Sequence, residues 1–318
     1  MKVFVAGATG AVGRPLVRQL VQAGHQVVGT TRSTARFGLI SDLGAEPVAM
    51  DGLDPGQVRA AVRGAAPEVV IHQLTGLATM GNLKHFDREF AVTNRLRTEG
   101  VDLLLAAALD VGARRFVAQS FTGWPNERKG SLVKSETDPL DPDPVPETGE
   151  TLAAIQHLED TLTATSAVEC VGLRYGLLYG PGTGMAPGRD MWEGVRARKL
   201  PLVGGGGGIF SFLHAHDAAA AAVLAVDRGT PGLYNVVDDE PAAASTWVPY
   251  LAGLLGAKPP RRVPAWLARP LAGEAMVSMM TVVRGSSNAK AKRELGFAPR
   301  YPSWRDGFRE MALAGQAT

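Results

Sequence analysis

The residues with the clearest chemistry are three glycines near the start of the chain, Gly7, Gly10 and Gly13. They follow an apolar run over residues 3–6 and precede a helical pattern over residues 14–23. Strand, glycine turn and helix together form the context that a dinucleotide fingerprint requires. Gly7 permits the tight turn, Gly10 lets the backbone approach a pyrophosphate, and Gly13 lets helix and strand pack closely. Thr9, Ala11 and Val12 complete the loop that would wrap the cofactor. The helix N-terminus then offers free N–H groups and a positive dipole end to the phosphates.

Further candidates stand at the ends of the strands that must position them. A second strand over residues 26–30 runs into Thr30-Thr31-Arg32-Ser33, with Arg36 close behind. An acidic side chain here would hold the ribose hydroxyls of NAD and repel an added phosphate. Arg32, Ser33 and Arg36 suit a 2′-phosphate instead, so NADP is expected and NAD is disfavoured. A third strand over residues 47–50 is followed by Asp51 and Gly52. Asp51 is expected to cap the helix that starts near Pro55 or to approach the adenine amino group. A fourth strand over residues 69–73 delivers Gln73, Leu74 and Thr75 to the ligand crevice. One long helical pattern over residues 85–109 carries Asn94. A fifth strand over residues 115–119 brings Ser120 and Thr122 to the same crevice.

Four prolines, Pro139, Pro142, Pro144 and Pro146, make residues 136–147 extended, and the stretch is long enough to be a functional loop. A helix over residues 150–165 and a sixth strand over residues 168–173 follow, with Tyr175 and Gly176 just beyond. Strands alternating with helices predict an α/β, doubly wound parallel sheet. The dinucleotide-binding domain is expected to span residues 1–178 plus about 209–238. A smaller, mainly helical C-terminal substrate lobe takes about 179–208 and 239–318. Asp217, ahead of an alanine-rich run, reads as a helix N-cap. Trp247, Trp266, Met276, Met279 and Met280 fall on apolar faces and are expected in the core.

The whole composition narrows the function. The 318 residues are 45% hydrophobic and 20% charged with a net charge of +2, so no strong field favours nucleic acid or a membrane surface. The single cysteine, Cys170, excludes an internal disulfide and fits a reducing cytoplasmic setting, where it is expected to be buried and inert. No signal-peptide pattern precedes the first strand, and no apolar run reaches membrane length. The six histidines and one cysteine suggest no metal site.

In its ordered motifs the chain resembles the extended short-chain dehydrogenase/reductases over nearly its whole length. The resemblance is carried by Gly7-Ala-Thr-Gly-Ala-Val-Gly13, Asn94, Arg115-Phe-Val-Ala-Gln-Ser120 and Leu173-Arg-Tyr-Gly-Leu-Leu-Tyr-Gly-Pro-Gly182. His214-Ala-His-Asp217, Tyr234-Asn235 and Ser287-Asn-Ala-Lys-Ala-Lys-Arg-Glu-Leu-Gly296 continue it. It implies a Rossmann lobe for NAD(P), a small C-terminal lobe for substrate, and a possible homodimer through the fourth and fifth helices. Such enzymes commonly pair a Ser or Thr after the fifth strand with a Tyr and a Lys four residues later on the next helix. Ser120 matches the serine and Glu159 matches a family glutamate, but Thr151 stands at the Tyr place and Ile155 at the Lys place. Neither can act as that low-pKa proton donor. The arginine that grips a nucleotide-sugar diphosphate is also missing, because that place reads Ile209-Phe210-Ser211-Phe212.

The expectation is therefore an NADP-dependent oxidoreductase acting on a small carbonyl, alcohol or enone substrate, with a non-standard active site. Epimerase, isomerase or dehydratase chemistry and a non-catalytic NADP-binding sensor are the alternatives. Ser120, Thr122, Thr151 and Tyr175 are the hydroxyls expected in the catalytic site, with His157 and Tyr179 as further proton-donor candidates. Ser120 is the expected oxyanion or substrate hydrogen-bond donor.

Overall fold

The strands form where the sequence is most apolar and β-branched. The computed structural model describes residues 1–76 and 83–314. Among these, strands β1 (Lys2–Ala6), β2 (Gln26–Thr31), β3 (Glu46–Ala49) and β4 (Val69–His72) form half of a sheet. Strands β5 (Arg115–Phe121), β6 (Glu169–Tyr175) and β7 (Gly232–Val236) complete it. All neighbours pair in parallel, in the spatial order β7-β6-β5-β4-β1-β2-β3. Val3 is in register with Val27 on one side and Val69 on the other. The strand order reverses between β1 and β4, which is where such sheets open a ligand crevice.

The connecting helices are α1 (Gly13–Gln22), α2 (Phe37–Ser41), α3 (Pro55–Ala65), α4 (Phe86–Arg97), α5 (Glu99–Asp110) and α6 (Gly149–Ala164). Beyond them lie α7 (Asp190–Arg196), α8 (Ala215–Leu224), α9 (Ala244–Leu254), α10 (Ala265–Ala272), α11 (Glu274–Thr281) and α12 (Trp304–Ala314). Leu16, Val17 and Leu20 of α1 and the alanines of α8 cover one sheet face through Val3, Val5, Val117 and Val171. On the other face α3, α5 and α6 pack Val62, Leu104 and Leu158 against Phe4, Val70 and Phe116. Each such fully buried side chain contributes about 1.5–3 kcal/mol.

A third core, around Tyr179, Trp192, Phe212, Trp247, Trp304 and Phe308, forms the second lobe. The chain does not divide as simply as expected: Ala291, Leu295 and Phe297, allotted to that lobe, pack into the core of the sheet. Trp266 is 71% exposed rather than buried. The long helix expected over residues 85–109 is two helices, because Thr98 leaves helical geometry at φ −99° and ψ −87°. Its hydroxyl bonds back to the Asn94 carbonyl at 3.1 Å.

Candidate active site

The glycine turn is shaped by contacts that allow no side chain. Gly7 has φ +97°, and a Cβ there would lie 2.7 Å from the Gln73 carbonyl oxygen. A Cβ on Gly13 would collide with the Gly7 carbonyl. Gly10 is exposed and donates its N–H to Gly7 O at 3.2 Å. Helix α1 begins without a side-chain cap at Val12 and without an acidic residue in its first turn, so no side chain competes with an anion at its N-terminus. The Gly7 N–H bonds the Thr30 hydroxyl at 3.1 Å, which ties the turn to the end of β2.

Arg32, Ser33 and Arg36 lie exposed just beyond β2. Neither arginine has an ion pair among the described residues. Leu74 and Thr75 form the partly open rim after β4, and Thr9 and Ala11 are partly exposed in the turn. Gln73 Oε1 and Asn94 Oδ1 are buried acceptors with no partner among the described residues. Leaving a buried acceptor unbonded costs free energy, so these atoms want donors from outside the chain. The uncapped helix end, the side-chain-free turn and the two orphaned acceptors fit an NAD(P) dinucleotide.

Other expected members of this set have different roles. Asp54, not Asp51, caps α3, accepting the Gln57 N–H at 2.9 Å. Asp51 instead accepts the Leu53 N–H at 3.0 Å, because it stands three residues too early to reach the helix N-terminus. Gly52 and Gly176 serve close packing: their added Cβ atoms would strike Leu74 and the Ser211 carbonyl. Asp217 lies inside α8, whose cap is His214, and it holds the N–H groups of Arg300 and Tyr301 at 2.9 and 3.0 Å.

The four hydroxyls expected to do chemistry are all buried and engaged. Thr151 Oγ1 donates to Asp87 at 2.6 Å and accepts from Asn94 Nδ2 at 3.0 Å. The same Asp87 carboxylate accepts the Thr151 and Glu150 N–H groups at 2.8 and 3.0 Å, capping α6 from the neighbouring helix. Ser120 donates to Glu159 Oε1 at 2.7 Å, and Glu159 forms a two-pronged pair with Arg174 at 2.8 and 2.5 Å. The Ser120 proton therefore points at Glu159 rather than at a substrate. Thr122 Oγ1 lies 2.6 Å from Ser286 Oγ and 3.3 Å from Asn126 Nδ2. Tyr175 is 1% exposed and its hydroxyl lies between Gln73 Nε2 and the Ala218 carbonyl, at 3.1 and 3.2 Å. Tyr175 packs into the core of the sheet, and burial pushes its phenol far above its ordinary pKa.

The two remaining candidates also lie elsewhere. His157 pairs with Asp102 on an exposed surface, and Tyr179 is wholly buried in the third core. Ile155 at the family Lys place is buried without exposure. His72, beneath the crevice, is held neutral: burial lowers its pKa to about 4, with Nε2 at 3.0 Å from Leu96 O.

Two features of the site were not read from the sequence. Asp87, in the first turn of α4, carried no signal that it would cap a helix 63 residues away. Above it an aromatic wall rises at the end of β5. Phe86 stacks on Phe90 at 4.3 Å and meets Trp124 edge-on at 5.2 Å, with Phe121 at 6.5 Å from Trp124. Phe121 and Trp124 are three residues apart in sequence, and Phe86 and Phe90 join them from α4.

Comparison with known proteins agrees with this geometry. The profile of the NAD dependent epimerase/dehydratase family matches residues 3–236. A 3-diazoavenalumate denitrifying reductase from a Streptomyces species is 46% identical over 96% of this chain and 99% of its own. A 2-alkyl-3-oxoalkanoate reductase of Stenotrophomonas maltophilia is 27% identical over the whole of both chains. Among solved structures, the UDP-glucose 4-epimerase of Thermotoga maritima superposes with a TM-score of 0.77 at 19% identity, over 100% of this chain and 99% of that one. That last likeness is one of fold.

Proposed function

The chain belongs to the NAD-dependent epimerase/dehydratase family as an NAD(P)-dependent oxidoreductase, and from that premise we propose that it is an NADPH-dependent reductase of a diazonium-type substrate. The observation that carries the reading is the state of the hydroxyls. Ser120, Thr122, Thr151 and Tyr175 are all buried and hydrogen-bonded within the protein, and α6 carries neither a Tyr nor a Lys. Reduction of a carbonyl needs a proton delivered to the new alkoxide. Replacement of a diazonium group by hydrogen does not: R–N₂⁺ + NADPH gives R–H + N₂ + NADP⁺, balanced by the hydride that the cofactor supplies. The name of the relative at 46% identity, a denitrifying reductase of a diazo compound, supports the same chemistry.

The protein's part is then to bind, orient and keep water out. The N-terminus of α1 and the glycine turn hold the pyrophosphate, and Arg32, Ser33 and Arg36 hold a 2′-phosphate. Gln73 and Asn94 supply the buried acceptors. Trp124, Phe121 and Phe90 offer apolar aromatic faces, and such faces also favour a cation. Asp87 and Thr151 fix the start of α6 and take no proton from the reaction.

The test is to mix the protein with NADPH deuterated at C4 and benzenediazonium, and to measure dinitrogen and deuterated benzene. Enzyme-dependent release of both, well above the protein-free rate, is expected. Deuterium incorporation no faster than without protein, together with turnover of a ketone panel, would overturn the reading in favour of carbonyl reduction.

A further inference from the structure

We propose that Arg284 is a clamp for a substrate carboxylate, so that the substrate of this cleft is a monoanion bound through one guanidinium. Arg284 lies in an extended stretch pinned on both sides. Ile209 N–H donates to Val283 O at 2.9 Å, and Gly285 and Ser287 donate to the carbonyls of Leu132 and Lys134 at 2.9 and 2.8 Å. Side chains alternate along such a chain. A Cβ on Gly285 would face Ile209, Pro241 and Ser211, away from the crevice. Ser286 faces the other way and meets Thr122 Oγ1 at 2.6 Å, at the crevice end of β5. Arg284, two residues before Ser286, shares its face and starts about 7 Å along the strand.

The guanidinium there is uncommitted. Arg284 has no ion pair or side-chain hydrogen bond among the described residues, and its Nε is buried without a partner. A buried guanidinium N–H left unbonded is costly, and its planar fork matches two carboxylate oxygens. Thr122, which Ser286 meets, stands two residues before Trp124, so the face that Arg284 shares with Ser286 is the one turned to this end of β5. The run over residues 209–212 contributes no second cation, and Arg128, near Trp124, is already paired with Asp141 at 2.6 Å, so a carboxylate is matched and a diphosphate is not.

This inference rests on the cleft being the substrate site. The experiment separates it from the chemistry proposed there. Cinnamate and cinnamamide are titrated into NADP⁺-saturated protein by calorimetry, with Arg284→Gln and Arg284→Lys in parallel and the melting temperature of each variant recorded. The wild type is expected to favour cinnamate by about tenfold or more. Arg284→Gln erases the preference and Arg284→Lys keeps part of it. Equal binding of the two probes by the wild type, binding of neither, or a preference that survives in a folded Arg284→Gln protein overturns the clamp. Should Arg284→Gln fail to fold, the reduced preference of Arg284→Lys decides, and an unchanged preference there overturns it. A cinnamate preference without any reduction of benzenediazonium supports the clamp while removing the diazonium reading.

Discussion

On the reading proposed here, Arg32 and Arg36 choose between two cofactors that differ by one phosphate. Both are exposed beyond β2, and neither has an ion pair among the described residues. A charge-assisted hydrogen bond is worth about 1.5–3 kcal/mol, reduced here by exposure to solvent. Arg32→Ala should therefore weaken NADPH by about tenfold, near 1.4 kcal/mol, and leave NADH almost unchanged. Equal weakening of both in a fluorescence titration would remove the 2′-phosphate contact. The glycine turn was legible because its meaning is local: three spacings decide it. The hydroxyls were not legible, because their partners are remote. Ser120 finds Glu159 39 positions away, Asn94 finds Thr151 57 away, and Thr122 finds Ser286 164 away. Residue type told us which side chains could donate a proton, and only the fold told us where each proton already goes.

At the scale of elements, α6 explains why the site keeps its shape without the usual catalytic pair. Asp87 caps its first turn, and near its end Glu159 reaches across to Arg174 of β6 and Ser120 of β5. Both members of the Glu159–Arg174 pair are buried, with side chains 3% and 5% exposed. Breaking such a pair from one side leaves a bare buried charge, at a cost of about 3–5 kcal/mol. Glu159→Ala should lose that much in urea unfolding, whereas Ser120→Ala, which removes one bond, should lose about 1 kcal/mol. Comparable small losses for both would show that Arg174 finds another partner, and would strip α6 of this anchoring role. The strands and most helices were legible from apolar runs and turn residues. The misreadings were at caps and breaks: Asp54 rather than Asp51, His214 rather than Asp217, and the break at Thr98. Each is decided by a hydrogen bond of two to four residues' reach, which the apolar pattern does not encode.

At the scale of the whole molecule, the crossing between the sheet and the second lobe sets the response to pH. Asp238 follows β7, and its carboxyl accepts the Glu240 N–H at 3.3 Å, with the Trp304 N–H at the start of α12 also favouring the charged form. Its Oδ2 is buried with no partner among the described residues, and burial pushes its pKa from 3.8 up to about 8. The folded chain thus holds a proton that the unfolded chain releases, so this group costs stability as pH rises from about 4 to about 8. His72 and His214 act oppositely. Burial lowers both from 6.5 to about 4, so the unfolded chain takes up their protons first and stability rises with pH across that interval. The opposing slopes coexist below pH 6.5, and above it only Asp238 among these three still acts. The melting temperature of the wild type should therefore fall between pH 6.5 and 8. Asp238→Asn keeps an acceptor for the Glu240 N–H and removes the ionisation, so it should flatten that descent. The same fall in the variant would place its cause outside Asp238, and the joint between the lobes would then carry no pH-dependent charge at this position.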